Sequence, residues 1–142
     1  MVYLGDWDLV DSGRHLDVDI ETVYRTNIVA GMNAWNAYKP GVIREDSWTN
    51  IQDVIVKDVN VNNSWAGNTY NWGQISLNTY YLGDWGQATR TNVATHELGH
   101  ALGLGHSKVS TADIMFGTAT GGVVVPLSAN DKSSYDAAYK LY

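Results

Sequence analysis

Cysteine is absent from the 142-residue chain, proline occurs twice and phenylalanine once. Without cysteine there is no disulfide staple, no thiolate nucleophile and no cysteine-rich zinc cluster, so a metal would have to be held by histidine or carboxylate. The same absence is compatible with either side of a membrane and fixes no compartment. Basic residues are scarce as well: nine Lys and Arg stand against fifteen Asp and Glu, for a formal net charge of −6. Nucleic-acid binders draw most of their affinity from clustered Lys and Arg, so nucleic acid is not expected as a partner. No stretch approaches the ~18–20 apolar residues that a bilayer crossing requires, and no membrane span is expected. The first ten residues, MVYLGDWDLV, have neither the basic nor the apolar region of an export signal, so any such signal was removed or never included. At 44% hydrophobic residues the chain can bury one ordinary core and is too short for two, which predicts one domain over 1–142.

Patterning along the chain predicts both strands and helices. Leu16–Glu21 alternates apolar and acidic residues, the period of a strand with one buried face. Tyr24, Ile28, Met32 and Trp35 recur at helical spacing until Pro40-Gly41, which predicts a helix over roughly 22–38. The run Asn50–Val59 is apolar on both faces and reads as a central strand. Residues 60–73 concentrate Asn and Gly, the composition of a surface loop or short exposed strand, and Gln74–Thr79 reads as a further strand. From Ala88 to Gly103 the chain reads as helical, with Gly103 and Gly105 expected to end the helix in the left-handed conformation. A Gly-rich stretch, 117–122, precedes Val123–Leu127; Ser128, with Asp131 three residues on, then marks a helix start, and Tyr135, Ala138, Tyr139 and Tyr142 share one face. No internal repeat is present. The class is α+β.

Three of the four histidines fall within residues 96–106, HELGHALGLGH. On a helix His96 and His100 lie one turn apart and project from the same side. Zinc prefers tetrahedral nitrogen donors at about 2.0–2.1 Å, and two helical ligands leave two positions. His106 can fill the third if the chain leaves the helix and turns back, the reason for glycine at 103 and 105. The fourth position stays open for water, which separates catalytic from structural zinc. Glu97, beside that water without being a ligand, would move protons while the zinc-bound water attacks a scissile carbonyl. Ala94, Leu98, Ala101 and Leu102 would pack into the core and hold the ligands rigid. At average composition HExxHxxGxxH arises by chance in roughly one chain in 10⁵ of this length.

These residues resemble the metzincin clan, in which the extended zinc motif is followed by a tight turn with a methionine beneath the metal. Ser110–Phe116, with Met115, is similar to that turn. Ser107 directly after His106 resembles the matrixins, and the looser matches Asn33-Ala34-Trp35, Asp53, Ile75–Asn78 and the Ser128…Asp131…Tyr139 segment resemble bacterial matrixin-type domains. Gly117 stands where astacin- and serralysin-like enzymes carry a zinc-facing Tyr. The resemblance implies a mixed, twisted β-sheet with an N-terminal packing helix, an active-site helix and a C-terminal helix. It divides the chain into an upper part, 1–103, and a small lower part, 104–142. It implies a monomeric, secreted zinc-dependent endopeptidase with one catalytic ion, with Gly103 and Met115 supporting the site.

The same resemblance implies that substrate lies extended against an exposed strand edge, expected within 62–70, with Trp65, Ala66 and Gly67 as candidate contacts. Val123-Val124-Val125-Pro126 resembles the wall of the primed-side pocket, so Val124, Val125 and Pro126 would favour an apolar residue just after the cleaved bond. Only His15 lies outside the motif, and Ser76 stands where a structural-zinc ligand would be expected, so a second zinc is not expected. Asn78, Thr79, Tyr80 and Tyr81 replace the acidic calcium ligands; calcium is allowed but not indicated. With no cysteine, latency would come from a different propeptide or a protein inhibitor. Six Trp and nine Tyr could form a sugar-binding surface, but core packing is the simpler expectation, and Trp35 at helical spacing fits it. The alternative to catalysis is a zinc-stabilised binding module, against which Glu97 and the open fourth position both speak.

Overall fold

The computed structural model describes residues 1–117 and 122–142; most of the Gly-rich stretch 117–122 therefore lies outside the described residues. The alternating segment forms β1 (Leu16–Glu21), and the apolar helical stripe forms α1 (Arg25–Tyr38). Tyr24, Ile28, Met32 and Trp35 are all buried, and the helix starts three residues later than its periodicity predicts because the Thr22 hydroxyl and the Asp58 carboxylate take the backbone amides of Tyr24 and Val23. After Pro40-Gly41 the chain enters β2 (Ile43–Glu45), a strand too short to carry a pattern of its own. β3 (Val54–Val59) occupies only the second half of the run at 50–59; Ile51 is 81% exposed, because residues 50–53 form the approach to the strand. β4 (Gly67–Tyr70) and β5 (Gln74–Asn78) form a hairpin, followed by the single turn α2 (Thr79–Leu82). Helix α3 (Gln87–Ala101) carries the histidine motif, and α4 (Ala129–Tyr139) lies near the end of the chain.

The five strands form one sheet in the order β2-β1-β3-β5-β4. β3 is central, as its double-sided apolar character predicts. All neighbours are parallel except β4, which runs antiparallel to β5 and forms one edge. The one-face expectation for β1 needs correction at Asp17, which is almost fully buried. Its carboxylate receives two hydrogen bonds from Arg44 of neighbouring β2, at 2.8 and 3.1 Å, so the charge enters the sheet already paired.

Helix α3, which carries the histidine motif, packs on α1 as well as on β4 of the sheet. The two helices touch at Gly31, where a Cβ would lie 3.0–3.1 Å from Thr95. Trp35 Nε1–H donates to the Thr95 carbonyl at 2.9 Å, and Asn27 Nδ2–H donates to Thr91 Oγ1 at 3.0 Å. Trp35 also meets Tyr135 of α4 edge-to-face, ring centres 5.4 Å apart, so α1, α3 and α4 share one core. Ala94, Leu98, Ala101 and Leu102 are fully buried, as their side of the helix predicts. Of the other tryptophans, Trp48 and Trp72 are exposed, Trp7 and Trp65 sit at the histidine cleft, and Trp85 lines that cleft while packing against the core. Helix α4 begins with the expected capping box, Ser128 Oγ accepting from Asp131 N and Ser128 N donating to the Asp131 carboxylate. Among the described residues no helix is long and apolar enough to cross a membrane.

Gly99, inside the motif, is the tightest point of this packing. A Cβ there would overlap Met115 Sδ and come within 2.9 Å of Trp35. Gly99→Ala is therefore expected to destabilise the metal-free chain by about 1–3 kcal/mol or more through overpacking, read as a lower urea midpoint at unchanged slope.

Candidate metal centre

One turn of α3 carries His96 and His100 to the same side, and the segment after the helix brings His106 to face them. Gly103 makes that reversal: it has φ +101°, a left-handed conformation that penalises other side chains. Gly105 does not share that conformation, contrary to the sequence expectation. It is required for a different reason, because a Cβ at Gly105 would lie 2.7 Å from the Leu4 carbonyl oxygen. The N-terminal segment runs close beside the reversal, with Gly5 N–H donating to Gly103 O and Gly105 N–H donating to Tyr3 O.

The three imidazoles converge through their Nε2 atoms. His100 Nε2 is 3.1 Å from both His96 Nε2 and His106 Nε2, and all three lie within 4.8 Å of one another. Tetrahedral zinc with bonds of 2.0–2.1 Å places adjacent donors about 3.3 Å apart, so this spacing suits such an ion. The tautomers agree. His96 Nδ1 lies 2.8 Å from Ile114 O, and His100 Nδ1 lies 2.8 Å from Leu104 O. A carbonyl can only accept, so in both rings Nδ1 carries the proton and Nε2 presents a lone pair. The 3.1 Å approach of His96 to His100 therefore brings two lone pairs together with no proton between them, an arrangement a cation would relieve. Burial pushes the pKa of His96 and of His100 down to about 4, keeping both rings neutral and able to ligate at pH 7.

Beneath these rings Met115 is fully buried against Gly99, and Ile114, whose carbonyl orients His96, is held in turn by Asp131. The Asp131 carboxylate accepts from Ile114 N at 2.8 Å, Met115 N at 3.3 Å and the Tyr3 hydroxyl at 2.6 Å. The sequence marks Asp131 as a helix cap; its second task, anchoring the turn under the three histidines, depends on tertiary contact.

Glu97 is only 5% exposed, and one of its carboxylate oxygens lies 4.0 Å from His96 Nε2. Burial pushes its pKa above the usual carboxylate range, while His100 and a hydrogen bond from Thr69 pull the other way. Thr69 Oγ1 is 2.8 Å from the other carboxylate oxygen and 3.0 Å from the Glu97 carbonyl. Nothing in the sequence around Thr69 singles it out.

A cavity of about 520 Å³ opens over this group. Trp65, Ala66 and Gly67 line it together with Glu97 and the three histidines, and Trp7, Trp85 and Val93 add apolar surface. Val124, Val125 and Pro126 are not among its lining residues. Their segment is pinned to α3 instead: Asn92 Nδ2–H donates to Val123 O and Val125 N–H donates to Asn92 Oδ1, both at 2.8 Å.

Asn78 is fully buried and organises the approach to β4. Its amide bonds Val61 in both directions, at 2.9 and 3.1 Å, and donates towards Asn63 Oδ1 and Trp65 O, each at 3.0 Å. Ser76 is buried and bonded by Gln74. The second convergence of acidic groups, Asp11, Asp17 and Asp53, includes the carboxylate already neutralised by Arg44.

Compared with known protein families, the chain matches the family model described as matrixin over residues 31–140, a span that includes most of α1, the sheet from β2 onward, the histidine motif and α4. Among curated proteins none gives a match.

The depressed histidine pKa values set an acid limit. In the metal-free chain the unfolded state takes up protons on both rings near pH 6.5, while the folded state resists until about pH 4. Glu97, with its raised pKa, opposes this with one proton against two. Stability of the chelated protein is therefore expected to fall as pH drops from about 6.5 towards 4, and a His96→Gln, His100→Gln double variant should flatten that slope in pH-dependent urea titrations.

Proposed function

Because the chain belongs to the matrixin family, and is by that membership a zinc metalloendopeptidase, we propose that His96, His100 and His106 hold the catalytic ion and that Glu97 is the general base. The observation that carries this reading is the convergence of three Nε2 atoms, two with their tautomer fixed by carbonyl partners, beside a buried carboxylate. A bound zinc supplies Lewis acidity, polarising the scissile carbonyl and making water easier to deprotonate. Glu97 takes the proton from the attacking water and delivers it to the departing amine, so that the amide C–N bond breaks to give a carboxylic acid and a free amine. Its burial beside the histidines, with one oxygen held by Thr69, keeps the carboxylate in place for both proton transfers. Met115 and Gly103 support the ligands, one from below and one by permitting the chain reversal.

Substrate polypeptide would lie extended along β4, the antiparallel edge of the sheet, whose outer backbone groups have no strand partner among the described residues. Trp65, Ala66 and Gly67 lead into that edge and face the cleft. Val124, Val125 and Pro126 lie outside the cavity's lining, held to α3 through Asn92, and would favour an apolar residue just after the cleaved bond only where substrate runs beyond that cavity. We place the enzyme outside the cell, as is general for its family, acting as a monomer with residues 1–103 above the cleft and 104–142 below. With no cysteine to cap the metal, a propeptide or separate inhibitor would have to block the site by other means.

The test compares cleavage of unstructured polypeptide by the zinc-loaded chain, the chelated chain and Glu97→Ala. The variant should bind one zinc per chain yet lose roughly 10²–10⁴-fold or more in turnover. Retained turnover in Glu97→Ala would remove Glu97 from the mechanism, and full activity after chelation would remove the metal.

A further inference from the structure

We propose that Thr69 is the positioning residue of Glu97: its hydroxyl holds one carboxylate oxygen, so that the other is kept toward the metal side as the proton acceptor. The inference rests on the reading of Glu97 as the base.

The geometry is specific to strand β4. Gly67 and Thr69 are two residues apart and so share one face of the strand, the face turned to α3. Gly67 brings the backbone against the Glu97 stem, since a Cβ there would lie 2.8 Å from Glu97 Cγ. Thr69 then reaches the carboxylate head at 2.8 Å, and its single hydroxyl proton is shared between Oε1 and the Glu97 carbonyl at 3.0 Å. The carboxylate is thus fixed at its stem by close packing and at one oxygen by a donor. The remaining oxygen, Oε2, is the one that lies 4.0 Å from His96 Nε2. A carboxylate free to turn about its last torsion would present either oxygen over a broad range of angles. The Thr69 bond removes that freedom before substrate arrives, and a base held at the right angle needs no reorganisation during proton transfer. Because Thr69 belongs to the strand proposed to receive substrate, the same backbone places both the peptide and the group that acts on its water.

The variants that separate this role from simple packing are Thr69→Val, which keeps shape and loses the donor, and Thr69→Ser, which keeps the donor and loses the methyl group. With zinc content measured for each, Thr69→Val is expected to bind one zinc per chain, keep KM within about twofold and lose about tenfold in kcat. Thr69→Ser should recover most of that loss. In the metal-free chain, carbon NMR should show the Glu97 carboxyl resonance displaced in Thr69→Val and close to wild type in Thr69→Ser. Wild-type kcat in Thr69→Val, equal losses in both variants, or an unmoved Glu97 resonance would each overturn the proposal. Failure of the underlying reading has a different signature: turnover that survives Glu97→Gln. With Glu97→Gln inactive and Thr69→Val fully active, only the positioning role falls.

Discussion

A helix that must face a core on one side and a metal on the other tolerates little rotation about its own axis. Successive residues are separated by about 100°, so a modest roll of α3 would carry His96 and His100 off their target and draw Ala94 and Leu98 out of the core. In this fold the roll is fixed at Thr95, the residue beside the first histidine. Gly31 lets α1 touch the Thr95 backbone, and the Trp35 indole bonds its carbonyl. The sheet reaches the site by two routes: β4 meets α3 directly at Glu97 through Gly67 and Thr69, and α1, packed on β1 and β2, meets α3 at Thr95.

Beyond the end of α3, close approach of backbones governs the path of the chain. Gly103 reverses its direction and Gly105 lets the N-terminal segment pass, so His106 arrives on a path bounded on two sides. Asp131 ties the start of α4 to the Met115 turn and to Tyr3. Three segments distant in sequence thereby meet at one carboxylate, and one of them, through the Ile114 carbonyl, orients a metal-facing imidazole. This continuity explains how so short a chain keeps its three histidines converged with no disulfide.

Those parts of the fold whose cause is local were legible in the sequence: the buried stripe of α1, the double-sided β3, the capping box of α4 and the histidine spacing of α3. Features whose cause is a partner far along the chain were not. β2 has three residues and exists because it pairs with β1. Asp17 is buried because Arg44 lies on the next strand. Gly105 signals flexibility in sequence, yet its neighbour Leu4 is what forbids a side chain. Asn78 and Thr69 carry ordinary loop and strand identities, and their importance comes from the Val61–Trp65 loop and Glu97, which no local pattern connects to them. The aromatic content was informative in a restricted way. Trp35 and Tyr135 fill the core, while Trp7, Trp65 and Trp85 line the cleft and Trp48 and Trp72 stand at the surface.

The seal around Met115 has a chemical meaning beyond support. A thioether lying in the open would be converted to its sulfoxide by ambient peroxide, gaining a polar oxygen for which the space under Gly99 has no room. Here the sulfur is inaccessible until α3 and the turn below it separate, so the rate of its oxygenation is tied to how often that separation occurs. Once modified, the side chain would no longer fit its place, and the opening would persist until the sulfoxide was reduced. In an oxidising medium Met115 would thus record the chain's age, since each opening of the floor beneath the histidines would be a chance for damage.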